Sequence, residues 1–298
     1  MDGSDRRIIT IRNEILMKIV LCQINPTVGA LDDNKALILS KYKEAVENGA
    51  DLVVFPEMVI TGYPIADLLY EDGFVDENMK VLCEIADKST VPLILGYINK
   101  DKEHLFNSAA LCVNGKQVYH YDKILLPTYD VFDEDRYFTA GKDIGLCKVE
   151  IGGETVKLGL EICEDLWDDE YECKVSSELK KAGADCIINI SASPYHELRL
   201  NERLDLVRSK VQETNIPFYY CNLVGAQDEL IFDGQSIAMN GEGALVGLGT
   251  IFQEEIIYID NEDDSTVELH QKSREAELYD ALVLGVKDYF RKTGHNEA

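Results

Sequence analysis

Short apolar, β-branched runs alternate with longer amphipathic segments along most of this chain of 298 residues. Continuous apolar runs of this length predict strands that are covered on both faces. These runs are Lys18–Ile24, Asp51–Phe55, Pro92–Tyr97, Val156–Ile162, Cys186–Ile190 and Phe218–Leu223. Apolar residues at helical spacing predict helices over Asp33–Asn48, Glu77–Lys88 and Leu198–Thr214. Such alternation is typical of an α/β protein.

Two Asn-Gly pairs lie between alternating runs and predict β-hairpins. Asn114-Gly115 separates SAALCV from KQVYHY, and Asn240-Gly241 separates QSIAM from ALVGLG. Asn-Gly is the strongest short hairpin signal, because both residues tolerate a positive φ. Antiparallel hairpins combined with β-α-β units indicate layered, mixed β-sheets. They exclude a purely parallel sheet of the Rossmann type.

The last forty residues differ in character from the rest. The charged stretch DNEDDS at Asp260–Ser265 predicts a linker. An amphipathic helix over Glu275–Lys292 follows and should end at Gly294. Its apolar positions, at i, i+4, i+8 and i+11, are Leu278, Leu282, Val286 and Tyr289. We expect this helix to lead toward a further domain that the chain lacks.

Charge and cysteine usage narrow the class of protein. With 29 basic and 55 acidic residues the formal net charge is −26, which argues against nucleic-acid and anionic-membrane binding. No apolar run approaches the roughly 20 residues of a membrane helix. The eight cysteines show no CxxC spacing and several lie in strand-like runs, which is typical of reduced thiols in a cytoplasmic protein. None of the five histidines is spaced for a metal, so we expect no metal site.

Three segments place reactive side chains next to predicted strands. Glu57 ends the buried run DLVVFPE, where open sheets bind ligands, although a plain loop carboxylate fits as well. Lys123 follows a hairpin strand and precedes apolar residues, although most lysines lie on the surface. Cys163 stands where a strand turns into an acidic loop, although a buried cysteine most often serves packing. Because neighbouring acids would raise the pKa of the thiol, its activation would need a cation close in space.

Together these segments resemble the nitrilase, or carbon–nitrogen hydrolase, superfamily, and most closely the glutaminase domain of glutamine-dependent NAD⁺ synthetases. The resemblance runs from about Met17 to Ile259. It rests on Phe55–Leu69, Tyr121–Gly141, Gly159–Asp169, Ile188–Tyr195 and Asn222–Ser236. It implies a nitrilase-like α-β-β-α sandwich with mixed sheets.

The resemblance also implies a Glu–Lys–Cys triad. Cys163 would attack the side-chain amide of L-glutamine, with Glu57 as base, to give a glutamyl thioester. Lys123, which would also supply the missing cation, and the N–H of Glu164 would stabilise the oxyanion, with Glu134 as a supporting carboxylate. The substrate-binding residues implied are Tyr129, Glu164, Trp167, Ser193 and Arg199. Arg203 is a rival for Arg199, and Trp167 could equally be a core residue.

The resemblance sets expectations about organisation as well. We expect an N-terminal extension at 1–16, an amidohydrolase domain at 17–260, and a linker and helix at 261–298. The SGGxDS phosphate loop of the synthetase half does not occur, so ATP and Mg²⁺ would belong to a missing domain or partner subunit. The glutaminase reaction itself needs no cofactor, and a homo-oligomer is expected. The alternative is a stand-alone aliphatic amidase with another small amide as substrate.

Overall fold

The structure, a computed structural model, describes residues 17–261, 265–269, 272–295 and 297. The expected extension at 1–16 and residues 262–264 of the expected linker lie outside the described residues. Within the described ranges the helices are α1 (Leu31–Glu47), α2 (Phe74–Ala86), α3 (Val175–Lys181), α4 (Arg199–Thr214) and α5 (Arg274–Thr293). None of these helices combines the length and the apolar character needed to cross a bilayer.

The strands follow the apolar runs of the sequence closely. They are β1 (Lys18–Gln23), β2 (Leu52–Val54), β3 (Leu93–Asp101), β4 (His104–Val113), β5 (Lys116–Asp122), β6 (Gly145–Ile151), β7 (Glu154–Ile162), β8 (Cys186–Ser191), β9 (Phe218–Asn222), β10 (Val224–Gln227), β11 (Leu230–Asp233), β12 (Ile237–Met239), β13 (Leu245–Leu248) and β14 (Glu255–Asp260). Both predicted hairpins are confirmed, since β4 pairs with β5 and β12 with β13.

Two six-stranded mixed sheets form the centre of the molecule. The first has the order β14-β1-β2-β3-β4-β5, and the second β13-β12-β9-β8-β7-β6. In each sheet three neighbouring strands run parallel: β1, β2 and β3 in the first, and β7, β8 and β9 in the second. The carboxyl ends of parallel strands are where sheets of this kind place functional residues.

Helices cover the outer face of each sheet, and the inner faces pack on each other. Ile19 and Leu21 of the first sheet share a core with Leu158 and Ile188 of the second. The helices α1 and α2 enclose a second core outside the first sheet, and α3 and α4 a third outside the second. The four layers are therefore α-β-β-α, which confirms the predicted architecture.

Helix α5 forms as predicted, and the side that faces the domain combines the apolar Ala281 with the polar Asp288 and Lys292. Asp288 is buried and accepts hydrogen bonds from Asn25 Nδ2 at 2.7 Å and from Ala226 N at 2.8 Å. Lys292 Nζ donates to the carbonyl oxygens of Pro26 and Ala226 at 3.0 and 2.9 Å. The apolar side chains left mostly exposed are Tyr279, Leu282, Val283, Val286 and Tyr289, which we call the α5 apolar face.

Gly96 on β3 allows the loop that carries Glu57 to cross directly over the sheet. A Cβ at Gly96 would lie 2.2 Å from Met58 N and 2.6 Å from Glu57 Cα. The backbone there is tied to the strand, since Gly96 N donates to Pro56 O at 3.1 Å. A side chain at this position therefore displaces main-chain atoms, which cannot move aside cheaply in a close-packed interior.

We predict that Gly96→Ala lowers the free energy of unfolding by about 3 kcal/mol, because it overpacks the backbone beneath Glu57. Urea unfolding followed by circular dichroism measures the change. Gly285→Ala on α5 is the control, since its Cβ would meet Ile231 at an ordinary 3.4 Å. Equal stability of both variants would contradict the close approach.

Candidate active site

A buried cation between two carboxylates marks the candidate site. Lys123 Nζ lies 2.9 Å from Glu57 Oε1 and 3.0 Å from both carboxylate oxygens of Glu134. Glu57 follows β2, Lys123 follows β5, and Glu134 begins the 3₁₀ turn Glu134–Arg136. All three side chains are buried. Burial alone would lower the pKa of Lys123, but Glu134 and Glu57 hold it well above the usual value, so the amine is an ammonium.

Three further groups complete the hydrogen bonding of the carboxylates. Asn107 Nδ2 donates to Glu57 Oε1 at 2.6 Å and lies 3.4 Å from Glu134 Oε2. The main-chain N–H of Ala192 donates to Glu57 Oε2 at 2.7 Å, and the Tyr63 hydroxyl donates to Glu134 Oε1 at 3.0 Å. Sequence reasoning missed Asn107, although a polar residue within the apolar strand β4 is a signal for it.

Cys163 begins a 3₁₀ turn at the carboxyl end of β7, and its φ of 43° lies in the left-handed region. A non-glycine residue in that region is strained and is common at functional positions. Burial and then the Glu57 carboxylate raise the pKa of the Cys163 thiol well above its usual value, while Lys123 acts in the opposite direction. Lys123 is thus a cation that acts on the thiol, and it opposes the rise in the thiol pKa without cancelling it.

Asp165 joins the turn that carries Cys163 to the segment that carries Lys123. Its Oδ2 accepts from the Tyr121 hydroxyl at 2.7 Å and from Ile162 N at 2.9 Å. Its Oδ1 accepts from Leu125 N at 2.9 Å, and the side chain is fully buried. The sequence shows Asp165 merely as one acid among several, so its bridging position could not be predicted.

Glu164 is held by two tyrosine hydroxyls. Tyr129 donates to both of its carboxylate oxygens at 3.0 and 2.9 Å, and Tyr171 donates to Oε1 at 3.0 Å. Burial raises the pKa of Glu164, and the two tyrosines oppose that shift. The structure thus joins two of the expected substrate residues, Tyr129 and Glu164, and adds Tyr171, which sequence reasoning missed.

Of the remaining expected substrate residues, Arg199 and Trp167 contact each other. The Arg199 guanidinium stacks over the Trp167 ring at 5.0 Å, and that ring also packs partly against the core beneath α3 and α4. Ser193 is buried just beyond β8. Arg203, the rival of Arg199, is buried and forms an ion pair with Asp233 at 2.7 Å. Arg199 is therefore the more accessible of the two arginines.

Glu161 is a buried carboxyl two residues before Cys163. It accepts from Ser176 Oγ at 2.6 Å, and no cation lies within ion-pair distance of it among the described residues. Burial raises the pKa of Glu161 to about 8. In the unfolded chain a glutamate titrates near pH 4.3, so between about pH 4.3 and 8 the folded state binds one proton more. The free energy of unfolding must therefore fall as the pH rises through this window.

We predict that Glu161→Gln removes this contribution. The free energy of unfolding of the wild type should fall relative to the variant by up to about 1.4 kcal/mol per pH unit between pH 5 and 8. Urea unfolding across this range measures the difference, with the exposed Glu229 changed to Gln as a control. Parallel pH profiles of wild type and Glu161→Gln would contradict the buried, protonated carboxyl.

Known proteins resemble this chain in sequence. The profile of the carbon–nitrogen hydrolase family matches residues 18–270. Glutamine-dependent NAD(+) synthetases of Thermotoga maritima and Synechocystis are each 36% identical, over 93% and 95% of this chain. The alignment covers 54% of either relative, so the chain spans about half the length of the curated relatives it matches.

Solved structures agree in fold. A glutamine-dependent NAD+ synthetase from Acinetobacter baumannii, in complex with ADP, superposes with a TM-score of 0.86 at 29% identity, over 94% of this chain and 53% of its own. An amidase from Nesterenkonia superposes at 0.71 with 23% identity, over 88% and 95%, which shows the shared fold. The chain belongs to the carbon–nitrogen hydrolase family.

Proposed function

We propose that this chain hydrolyses the side-chain amide of glutamine and releases ammonia. The observation that carries the proposal is the buried Lys123 ammonium between Glu57 and Glu134, next to the strained turn at Cys163. A cation held in a dry site by fixed carboxylates is suited to stabilise an oxyanion that forms during amide hydrolysis. The names of the relatives support glutamine as the amide.

In the proposed mechanism Glu57 removes the thiol proton as Cys163 Sγ attacks the amide carbon. Lys123 Nζ and the main-chain N–H of Glu164 stabilise the oxygen of the tetrahedral intermediate. Glu57 then protonates the leaving nitrogen, so ammonia departs and a glutamyl thioester remains. A water molecule deprotonated by Glu57 hydrolyses the thioester and releases glutamate. We propose that no metal or cofactor takes part, since the side chains provide the base, nucleophile and cation.

The substrate's two charged ends need complementary partners. We assign the α-ammonium to Glu164, whose carboxylate Tyr129 and Tyr171 orient through the hydrogen bonds described above. The α-carboxylate is assigned to Ser193 and Arg199, and the Trp167 ring to the wall of the pocket. The stacking of Arg199 on Trp167 supports this placement, since it directs the guanidinium along the ring.

We predict that the enzyme hydrolyses glutamine far faster than propionamide, butyramide or aliphatic nitriles, because these lack both charged ends. Ammonia release measures the rates, and EDTA should leave them unchanged. Cys163→Ala should abolish turnover, while Cys221→Ala, at a buried thiol in the core between the sheets, should not. If glutamine is inert and an aliphatic amide turns over, the chain is instead a stand-alone amidase.

We further propose that a synthetase domain or subunit receives the ammonia, that the chain forms homo-oligomers, and that it acts in the cytoplasm, where its eight free thiols stay reduced. The relatives' names and the half-length match support a synthetase partner. The α5 apolar face offers the surface, because helix α5 binds the domain through other residues, among them Ala281 and Asp288. Contiguous exposed apolar side chains mark interaction sites.

We predict that Leu282→Asp with Val286→Asp weakens binding to an ammonia-dependent NAD⁺ synthetase by at least about tenfold, since each charge would be buried at the interface. Sedimentation velocity with both purified proteins measures the affinity. Val118→Asp is the control, an exposed apolar residue on β5. Unchanged binding, or a loss of self-association instead, would contradict the assignment of this face to a synthetase.

A further inference from the structure

Arg203 is a fully buried arginine that the proposed mechanism does not use. It lies on α4, and its guanidinium forms a two-pronged ion pair with Asp233, at 2.7 Å from Nη1 and 2.9 Å from Nη2. The second hydrogen of Nη2 points toward Ser193 O at 2.8 Å, and Ser193 Oγ and Pro194 O, at 3.2 and 3.3 Å, are the longer acceptors that share it. The guanidinium therefore encloses the turn that carries Ser193.

This contact determines which way the Ser193 hydroxyl can point its proton. A guanidinium has N–H donors and no acceptor, so Ser193 Oγ can meet Arg203 solely as an acceptor. The hydroxyl hydrogen is then directed away from Arg203. Asn222 fixes the backbone of the same residue, because its Oδ1 accepts from Ser193 N at 3.0 Å. Asn222 thus fixes the backbone of Ser193, and Arg203 occupies an acceptor side of the hydroxyl.

Ser193 also has a fixed relation to the proposed base. The residue before it, Ala192, donates its main-chain N–H to Glu57 Oε2 at 2.7 Å. The dipeptide Ala192-Ser193 therefore binds Glu57 through its first residue and presents a hydroxyl through its second. The Ser193 hydroxyl is thus held in a fixed position relative to Glu57. This arrangement suits a substrate whose carboxylate lies at a fixed distance from the amide that reacts.

We propose that Arg203 is a positioning residue that makes the Ser193 hydroxyl a donor and thereby selects amides that carry a carboxylate. This inference rests on the proposed glutaminase function. Arg203 itself does not contact the substrate, because Asp233 neutralises it and its side chain is fully buried. Arg199 would supply the cation, and Ser193, oriented by Arg203, a neutral donor of defined direction.

The test is a double-mutant cycle with two substrates. The variants are Ser193→Ala, Arg203→Lys and the double variant, assayed with glutamine and with 4-aminobutanamide, which is glutamine without its α-carboxylate. Arg203→Lys keeps a cation next to Asp233 but removes the planar guanidinium whose N–H groups face Ser193. The control is Arg208→Lys on the same helix, where the arginine is partly exposed and pairs with Asp205.

Each single variant should lower kcat/KM for glutamine about tenfold, mainly through KM, and the double variant should lose no more than either single one. The value for 4-aminobutanamide should change less than twofold throughout. Ser193→Thr, which keeps a hydroxyl, should retain most of the glutamine activity. Should Arg203→Lys fail to fold, Ser193→Ala and Ser193→Thr on both substrates still test the selection of a carboxylate.

The outcomes separate the two proposals. If the wild type leaves glutamine intact, the proposed glutaminase function fails, and this inference fails with it. A second outcome is that glutamine turns over while the decreases in kcat/KM of the two single variants multiply in the double variant, or while they are equal for both substrates. In either case the glutaminase function stands. Arg203 would then have a merely structural role, and the inference would be overturned.

Discussion

The ion triad of Lys123, Glu57 and Glu134 is the constraint on which the site depends. Removing an ammonium from water costs several kcal/mol unless charges and hydrogen bonds replace the solvent. Here two carboxylates replace it, and Asn107 and Ala192 N satisfy further lone pairs. Loss of Lys123 leaves two buried carboxylates without a counter-charge, and the three charged groups come from separate segments. The triad therefore fixes the relative positions of these segments.

The charges of the triad also act on the thiol of Cys163. A cation near a cysteine commonly lowers the pKa of its thiol. Lys123 acts in that direction on Cys163, but burial of the thiol and the Glu57 carboxylate outweigh it. In the proposed mechanism Glu57 therefore removes the thiol proton as Cys163 attacks. The same Lys123 charge remains available to the oxyanion, which forms when Glu57 has become protonated.

Much of this could be predicted from sequence, because strands, hairpins and helices follow from local periodicity. The buried runs of β7 and β8 and the Asn-Gly hairpins formed where expected. What could not be predicted depends on contacts between distant residues. Asp165 gains its bridging position solely in the folded chain, and α5 packs through Asp288 and Ala281 while Leu282 and Val286 stay exposed. Periodicity identifies an apolar face without indicating what covers it.

The most direct test is the rate at which iodoacetamide alkylates Cys163, followed by mass spectrometry from pH 6 to 9 in the wild type and in Glu57→Gln. If Glu57 is the base for a protonated thiol, the variant should react at least about 100-fold more slowly at neutral pH. If Lys123 instead holds a thiolate, removing the negative charge of Glu57 should leave the rate equal or increase it. An equal or faster rate in Glu57→Gln would contradict the account.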